Sequence, residues 1–253
     1  MNISTFQAPK IKQFKFTFIY EPLNVDRLIY KFEDNIGDLF DHQQAVMNKN
    51  GRDAQSPINV ANFLFRNQSG KVFEVSPIEA RLIFTDMELN KSGAILKDNI
   101  VPIFNFLNTL PELNLENFSA TIQLQYPLKD IDYHLPTDLF ETFIKIDKPE
   151  KLNSVSFMFE EIVDDLSFSY AFGHYEELAL NVPIENIRLN RNENSTITLD
   201  DQNYSIVERG LNKRITIRKH GLVNDNTSDS YSKVYSKAIA QIKEAEKSIC
   251  SRS

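Results

Sequence analysis

Between Asn62 and Thr85, NFLFRNQSGKVFEVSPIEARLIFT, apolar and polar positions alternate in three successive runs. Phe63 and Phe65 share one face of the first run, Phe73 and Val75 one face of the second, and Ile78, Ala80, Leu82 and Phe84 one face of the third. A period of two sends successive side chains to opposite sides of an extended chain, so each run predicts a half-buried strand. Arg66-Asn67-Gln68-Ser69-Gly70-Lys71 supplies polar turn formers and a glycine that tolerates positive φ, as a short hairpin loop requires. Ser76-Pro77 supplies the next corner, because proline has no N–H to give to a ladder. The stretch predicts a three-stranded antiparallel meander whose apolar face needs helices to cover it.

The same reading extends to both sides. Lys12 to Tyr20 sets Phe14, Phe16 and Phe18 against Lys15, Thr17 and Ile19 and predicts a strand. From about Asn24, the residues Val25, Leu28, Ile29, Phe32, Ile36, Leu39 and Phe40 recur at helical spacing and predict one amphipathic helix ending before Asn50-Gly51. Ile95, Leu96, Ile100, Ile103, Phe104, Leu107 and Leu110 predict a second, which Pro102 kinks or restarts. Asn117 to Leu128 alternates again, so the order to this point is β-α-β-β-β-α-β.

Strand-like runs then cover 139–146, 155–163, 166–172 and 177–182, while Thr137 equally suits the cap of a helix. Short strands follow at 187–189, 196–199, 204–207 and 214–218, with polar turns at 192–195 and 200–203. Residues 221–230 read as a polar linker, and Tyr231, Val234, Tyr235, Ala238, Ile239, Ile242, Ala245 and Ile249 form one helical stripe. The fold class is α+β: mostly antiparallel sheet, two or three amphipathic helices, a β-rich C-terminal half and a terminal helix. The expected division is a sheet-and-helix layer over 1–130, a β-rich part over 131–220, the linker 221–230 and the helix 231–253.

The N-terminal half resembles a family of sporadically distributed, uncharacterised prokaryotic proteins of similar length. The residues that carry the likeness are Ala8-Pro9 before the strand Ile11–Tyr20, the hairpin Phe65-Arg66-Asn67 continued by Gly70–Ser76, and the aromatic-ended strand Ile122–Tyr126. The resemblance implies a prokaryotic origin and a related N-terminal fold, and it brings no site residues because that family has no assigned chemistry.

Composition changes this picture in a few places. Apolar residues make up 42% and charged residues 25% of the 253, ordinary for a chain that buries a core. There are 19 Phe, no Trp and only 7 Gly, and neither GxGxxG nor a Walker-type run, which argues against phosphate-cradling loops. Cys250 is the single cysteine, so no intramolecular disulfide forms, and a reducing cytoplasm is the expected location. No long apolar run predicts a membrane span. Residues 1–185 carry 16 Lys+Arg against 27 Asp+Glu, a net −11, whereas 186–253 carry 12 against 8, a net +4.

Candidate chemistry is sparse. Gln55-Ser56-Pro57-Ile58-Asn59 resembles the segment before the core sheet of α-type carbonic anhydrases, but the four histidines His42, His134, His174 and His220 include no His-x-His pair for zinc. Glu160, Glu161, Asp164 and Asp165 would suit a divalent cation on a helix; alternation over 155–159 instead predicts a strand ending in a solvated turn. His174, flanked by Gly173 and Tyr175-Glu176-Glu177, reads as a surface turn histidine before it reads as a general base. Asp130, Asp132, Tyr133 and His134 read as a loop, and Cys250 as a bystander at the terminus. No metal or cofactor is expected.

Arg188, Arg191, Arg214, Arg218 and Lys219, with Arg209 and His220, form a basic region that guards an exposed sheet edge or pairs with the acidic body; phosphate or nucleic-acid binding is the alternative. The leading expectation is a non-catalytic protein-binding or adaptor protein, with a protein partner or self-association. Tyr231, Tyr235, Ile239 and Ile242 of the terminal helix are the candidate contact residues. A nucleic-acid-binding or nucleic-acid-processing protein using 186–220 is the alternative.

Overall fold

A computed structural model describes residues 5–23, 25, 28–48, 59–68, 70–87, 89–131, 135–143, 155–180, 204–219 and 227–250. In chain order the elements are β1 (Lys10–Tyr20), α1 (Ile29–Ile36), β2 (His42–Asn48), β3 (Asn59–Arg66), β4 (Lys71–Val75), β5 (Glu79–Met87), α2 (Leu89–Thr109), β6 (Leu115–Pro127), α3 (Leu135–Phe143), β7 (Ser156–Val163), β8 (Leu166–Leu180), β9 (Tyr204–Lys219) and α4 (Thr227–Cys250). The strands form one nine-stranded sheet in the order β2-β3-β4-β5-β1-β6-β9-β8-β7. The expected α+β class with a large antiparallel sheet is what forms. None of the described helices is long and apolar enough to cross a membrane.

The predicted meander is β3, β4 and β5, antiparallel in sequence, with Phe65 opposite Phe73 and Phe73 opposite Leu82. Gly70 takes φ 80° in the first turn, where an added Cβ would collide with the Thr85 hydroxyl. Strand β1 then pairs antiparallel with β5, setting Phe14 against Phe84 and Phe16 against Leu82. Those registers bring one phenylalanine-rich face together.

The chain divides into two compact units, each assembled from three stretches. The larger holds Pro9–Leu124, Met158–Ala171 and Arg214–Ser253. Its core is the apolar face of β1, β3, β4, β5 and β6 with α1, α2 and α4: Phe14, Phe16, Phe18, Phe32, Phe65, Phe73 and Phe118 are all essentially inaccessible. Phe32 of α1 meets Phe106 of α2 edge to face at 5.1 Å, and Phe40 lies 5.7 Å from Phe65. Each such buried ring stabilises the fold by roughly 1.5–3 kcal/mol. The opposite face is polar: Arg81 pairs with Glu79 and with Glu74 directly across the ladder, and the Thr121 and Thr216 hydroxyls meet at 3.2 Å.

The smaller unit holds Met1–Ala8, Gln125–Phe157 and Phe172–Lys213. Its core gathers Phe6, Leu128, Leu135, Leu139 and Val155, with Tyr126, Phe157 and Leu211 packed beside them. Phe6 bridges Leu128 in antiparallel fashion, and the Gln7 N–H donates to the Pro127 carbonyl at 2.7 Å.

Several expectations change. The helix expected to continue to Asn50 ends far earlier: α1 closes at Ile36, a 3-10 turn covers Gly37–Leu39, and Phe40 is already extended. His42–Asn48 becomes β2, paired antiparallel with β3 from His42 opposite Arg66 to Asn48 opposite Asn59, so its backbone groups are satisfied across the ladder. Helix α2 runs through Pro102 as one element. Leu135–Phe143 is helical, as the Thr137 reading allowed and the strand reading of 139–146 did not. The run at 166–172 and the described part of that at 177–182, up to Leu180, belong to the single strand β8, and the runs at 204–207 and 214–218 to the single strand β9. The expected linker loses its last four residues to α4, which begins at Thr227. The strands expected at 187–189 and 196–199, the turns at 192–195 and 200–203, and the segments 49–58 and 132–134 lie outside the described residues.

Candidate functional site

At one end of the strand order, β7 and β8 form a hairpin closed by Asp164-Asp165. Asp164 takes φ 58°, a conformation that short polar side chains tolerate better than branched ones. The four carboxylates read as a possible cation site are thereby separated, with Glu160 and Glu161 on opposite faces of β7 and Asp164 and Asp165 in the turn. Among the described residues no group of three or more His, Cys, Asp or Glu converges as a metal site would need.

The hairpin is tied to its surroundings by particular contacts. The Phe159 ring stacks on Tyr170 at 4.9 Å, and Tyr170 on Phe168 at 6.2 Å. The Tyr170 hydroxyl donates to Glu161 at 2.9 Å. Burial, reinforced by that carboxylate, pushes the Tyr170 phenol up to about 12. Lys233 of α4 donates to Asp165 at 2.8 Å and holds that carboxyl below its usual range. Arg218 of β9 stands 3.9 Å from Glu160, a loose pair between half-exposed groups.

Strand β7 nevertheless presents apolar residues to solvent. Met158 is 71% exposed, Ile162 58%, Phe159 52% and Val163 42%. This is a concentration of exposed apolar side chains on one short strand, whereas scattered single ones are ordinary.

The four residues singled out on the terminal helix behave differently. Tyr231 is buried, with its ring 3.7 Å from and nearly parallel to Phe104, and edge-on to Phe16 and Phe118. Ile242 is buried as well, together with Val234, Ala238 and Ala245. Tyr235, stacked on Tyr231, and Ile239 are half-buried. The stripe is used within the larger unit's own core, so Tyr231 and Ile242 are not open to a partner.

Among the basic residues, Arg214 and Arg218 are exposed on the same face of β9 and Lys219 is half-exposed. The reading of this strand as a guarded sheet edge is corrected, because β9 lies inside the sheet, between β6 and β8. Arg209 is held in the smaller unit by Glu176 at 2.9 Å and donates to the Ile131 carbonyl. Arg188, Arg191 and His220 lie outside the described residues. His174 sits within β8, half-buried, where a surface turn was expected.

Two polar arrangements escape a reading of sequence alone. Lys71, which resembles any turn lysine, is buried on β4: its ammonium donates to the Leu39 carbonyl and to Asn99 at 2.7 Å, and lies 4.3 Å from the Phe40 ring centre. Burial lowers its pKa, and Asp41 opposes that shift. In the smaller unit the Tyr175 hydroxyl donates to Glu208 at 2.7 Å.

The phenols give a pH dependence with a definite sign. Tyr20, Tyr170, Tyr175, Tyr231 and Tyr235 are all raised, first by burial and then by a neighbouring charge or hydroxyl. An unfolded phenol ionises near about pH 10, so the folded chain keeps protons that the unfolded chain loses above that pH. Stability is therefore fully present below about pH 10 and falls as pH rises toward 12. Thermal melts at successive alkaline pH values, read beside phenolate absorbance, check this; phenols that ionise near pH 10 without loss of the fold contradict it.

No family model, curated protein or solved structure matches this chain.

Proposed function

We propose that this chain is a non-catalytic protein-binding protein of the adaptor kind, docking its partner at the β7 rim. The observation that carries the reading is the run of exposed apolar side chains Met158, Phe159, Ile162 and Val163 on a strand at the end of the sheet. The interface thus moves from the terminal helix, whose apolar stripe serves the core, to the hairpin. A second reading rests on Arg214 and Arg218, exposed together on an interior strand beside the hydroxyls of Thr121 and Thr216. That polar, basic face suits phosphate contacts, although the chain as a whole carries −7.

One capture experiment separates the two. Full-length chain is recovered from the cell that makes it, with nucleic acid retained, as wild type, as Met158→Lys/Ile162→Lys and as Arg214→Ala/Arg218→Ala. The expected result is a protein partner held by the wild type and the arginine variant and lost from the lysine variant, with melting temperatures unchanged because all four positions are exposed. A partner retained by the lysine variant removes the reading. Nucleic acid bound more tightly than about 10 μM at roughly 150 mM salt, weakening steeply with added salt and lost in the arginine variant, installs the second one instead.

A further inference from the structure

We infer that the outer edge of β7 takes up an extended segment of a partner as an additional strand, and that this segment carries two adjacent basic residues flanked on both sides by apolar ones. The inference rests on the protein-binding reading and gives its mode and chemistry.

The edge itself supplies the first half. β7 closes the strand order, with β8 on one side and no described strand on the other. An end strand presents a row of backbone donors and acceptors that can template another strand, and proteins ordinarily blunt such rows with lysine, proline, a bulge or shortness. Ser156-Phe157-Met158-Phe159-Glu160-Glu161-Ile162-Val163 is eight residues long and contains no lysine, arginine or proline. Its charges are Glu160 and Glu161 alone, one on each face, with apolar neighbours two positions away on either side.

The charges then select the occupant. In an antiparallel pair of two β7 strands, any register centred on the strand sets Glu160 or Glu161 opposite or diagonal to the same residues of the copy. Like charges so placed destabilise a ladder, and Asp164 adds to the repulsion at the turn. A second copy is therefore disfavoured. A partner strand with Lys or Arg at its two central positions sets a cation across from a carboxylate on each face, while its outer residues cover Met158 and Ile162 on one side and Phe159 and Val163 on the other. Adjacent carboxylates suit adjacent cations, since neighbouring residues of an extended chain serve opposite faces, and such cations would add to the loose Arg218 pair on Glu160 and the Tyr170 hydroxyl on Glu161.

The test uses the full chain and two fluorescein-labelled peptides, acetyl-Thr-Val-Ile-Lys-Lys-Val-Ile-Thr-amide and its Glu-Glu counterpart, with binding read by anisotropy. The Lys-Lys peptide is expected to bind at least about tenfold more tightly, and Glu160→Lys/Glu161→Lys to reverse the preference. Amide exchange across residues 157–163 is expected to slow only with the favoured peptide. Glu160→Gln/Glu161→Gln, which abolishes the preference without reversing it, serves if the double reversal does not fold. The proposal is overturned by a preference indifferent to these substitutions, by exchange unchanged along β7, or by wild-type dimers in sedimentation that Ile162→Lys dissociates. If the peptides fail while Met158→Lys/Ile162→Lys still releases the captured partner, strand addition falls and the protein-binding reading survives; if both fail, both fall.

Discussion

Replacing Tyr231 with alanine will destabilise the protein by about 3–5 kcal/mol, whereas replacing it with phenylalanine will leave stability unchanged or raise it by about 1 kcal/mol. The ring is the hub of the contact of α4 with the sheet and with α2, touching Phe16 of β1, Phe118 of β6 and Phe104 of α2. Truncation to alanine removes these contacts and leaves a cavity in a core already filled with rings. The hydroxyl contributes differently, because it is buried with no hydrogen-bond partner among the described residues. Such a group costs desolvation free energy and returns nothing, so deleting it carries no penalty. For a chain of this length each kcal/mol moves the melting temperature by about 2–4 °C, which makes the pair of variants easy to separate by calorimetry. A Tyr231→Phe variant as damaged as Tyr231→Ala would place the hydroxyl, rather than the ring, at the centre of the contact.

The second large effect is expected at Gly210, where alanine will cost about 3 kcal/mol and valine will prevent folding. A Cβ on Gly210 would lie 2.3 Å from the Tyr126 carbonyl oxygen, 2.8 Å from the Tyr175 ring and 2.9 Å from the Pro127 Cα. Two of these obstacles are backbone, and the Arg209 carbonyl next door accepts from the Leu128 N–H at 2.8 Å, so β9 cannot withdraw without breaking that bond. Gly173 is the control: its nearest neighbours would stand 3.4 Å from a new Cβ, and Gly173→Ala should change stability by less than about 0.5 kcal/mol. Denaturant midpoints for the two variants test the contrast; equal costs would mean that the approach at Gly210 relaxes freely.

These glycines also explain where sequence and structure part. The meander and β1 were legible because Phe14, Phe16, Phe18, Phe63, Phe65 and Phe73 alternate without interruption, and period-two burial leaves no other reading. Sequence alone divides β8 and β9 into shorter runs, with a turn read at Gly173-His174, since glycine beside polar residues ordinarily marks one. Here Gly173 and Gly210 sit inside continuous strands, and at Gly210 the glycine answers a close approach of another segment, a cause that local sequence does not carry. The false extension of α1 has a similar origin. Ile36 and Phe40 are four apart, as on a helix, yet Phe40 reaches the same core from an extended backbone to meet Phe65 and Phe73. The terminal helix was legible as an amphipathic stripe, but amphipathicity alone does not say whether the apolar side meets the chain's own sheet or another protein. The exposed row on β7 was hidden for the converse reason: the alternation that marks a strand is silent about whether either face is covered.

The alternation of the two units along the chain bears on how this protein can be taken apart. Each is sewn from three stretches, so no single scission releases either one whole. Removing the last helix is no gentler, for it would bare Phe16, Phe104 and Phe118 together. A shortened chain of that sort would gather proteins on its torn interior, and what it gathered would say nothing of its natural companions. Single substitutions at the rim leave both cores closed, and they are the instrument this architecture allows.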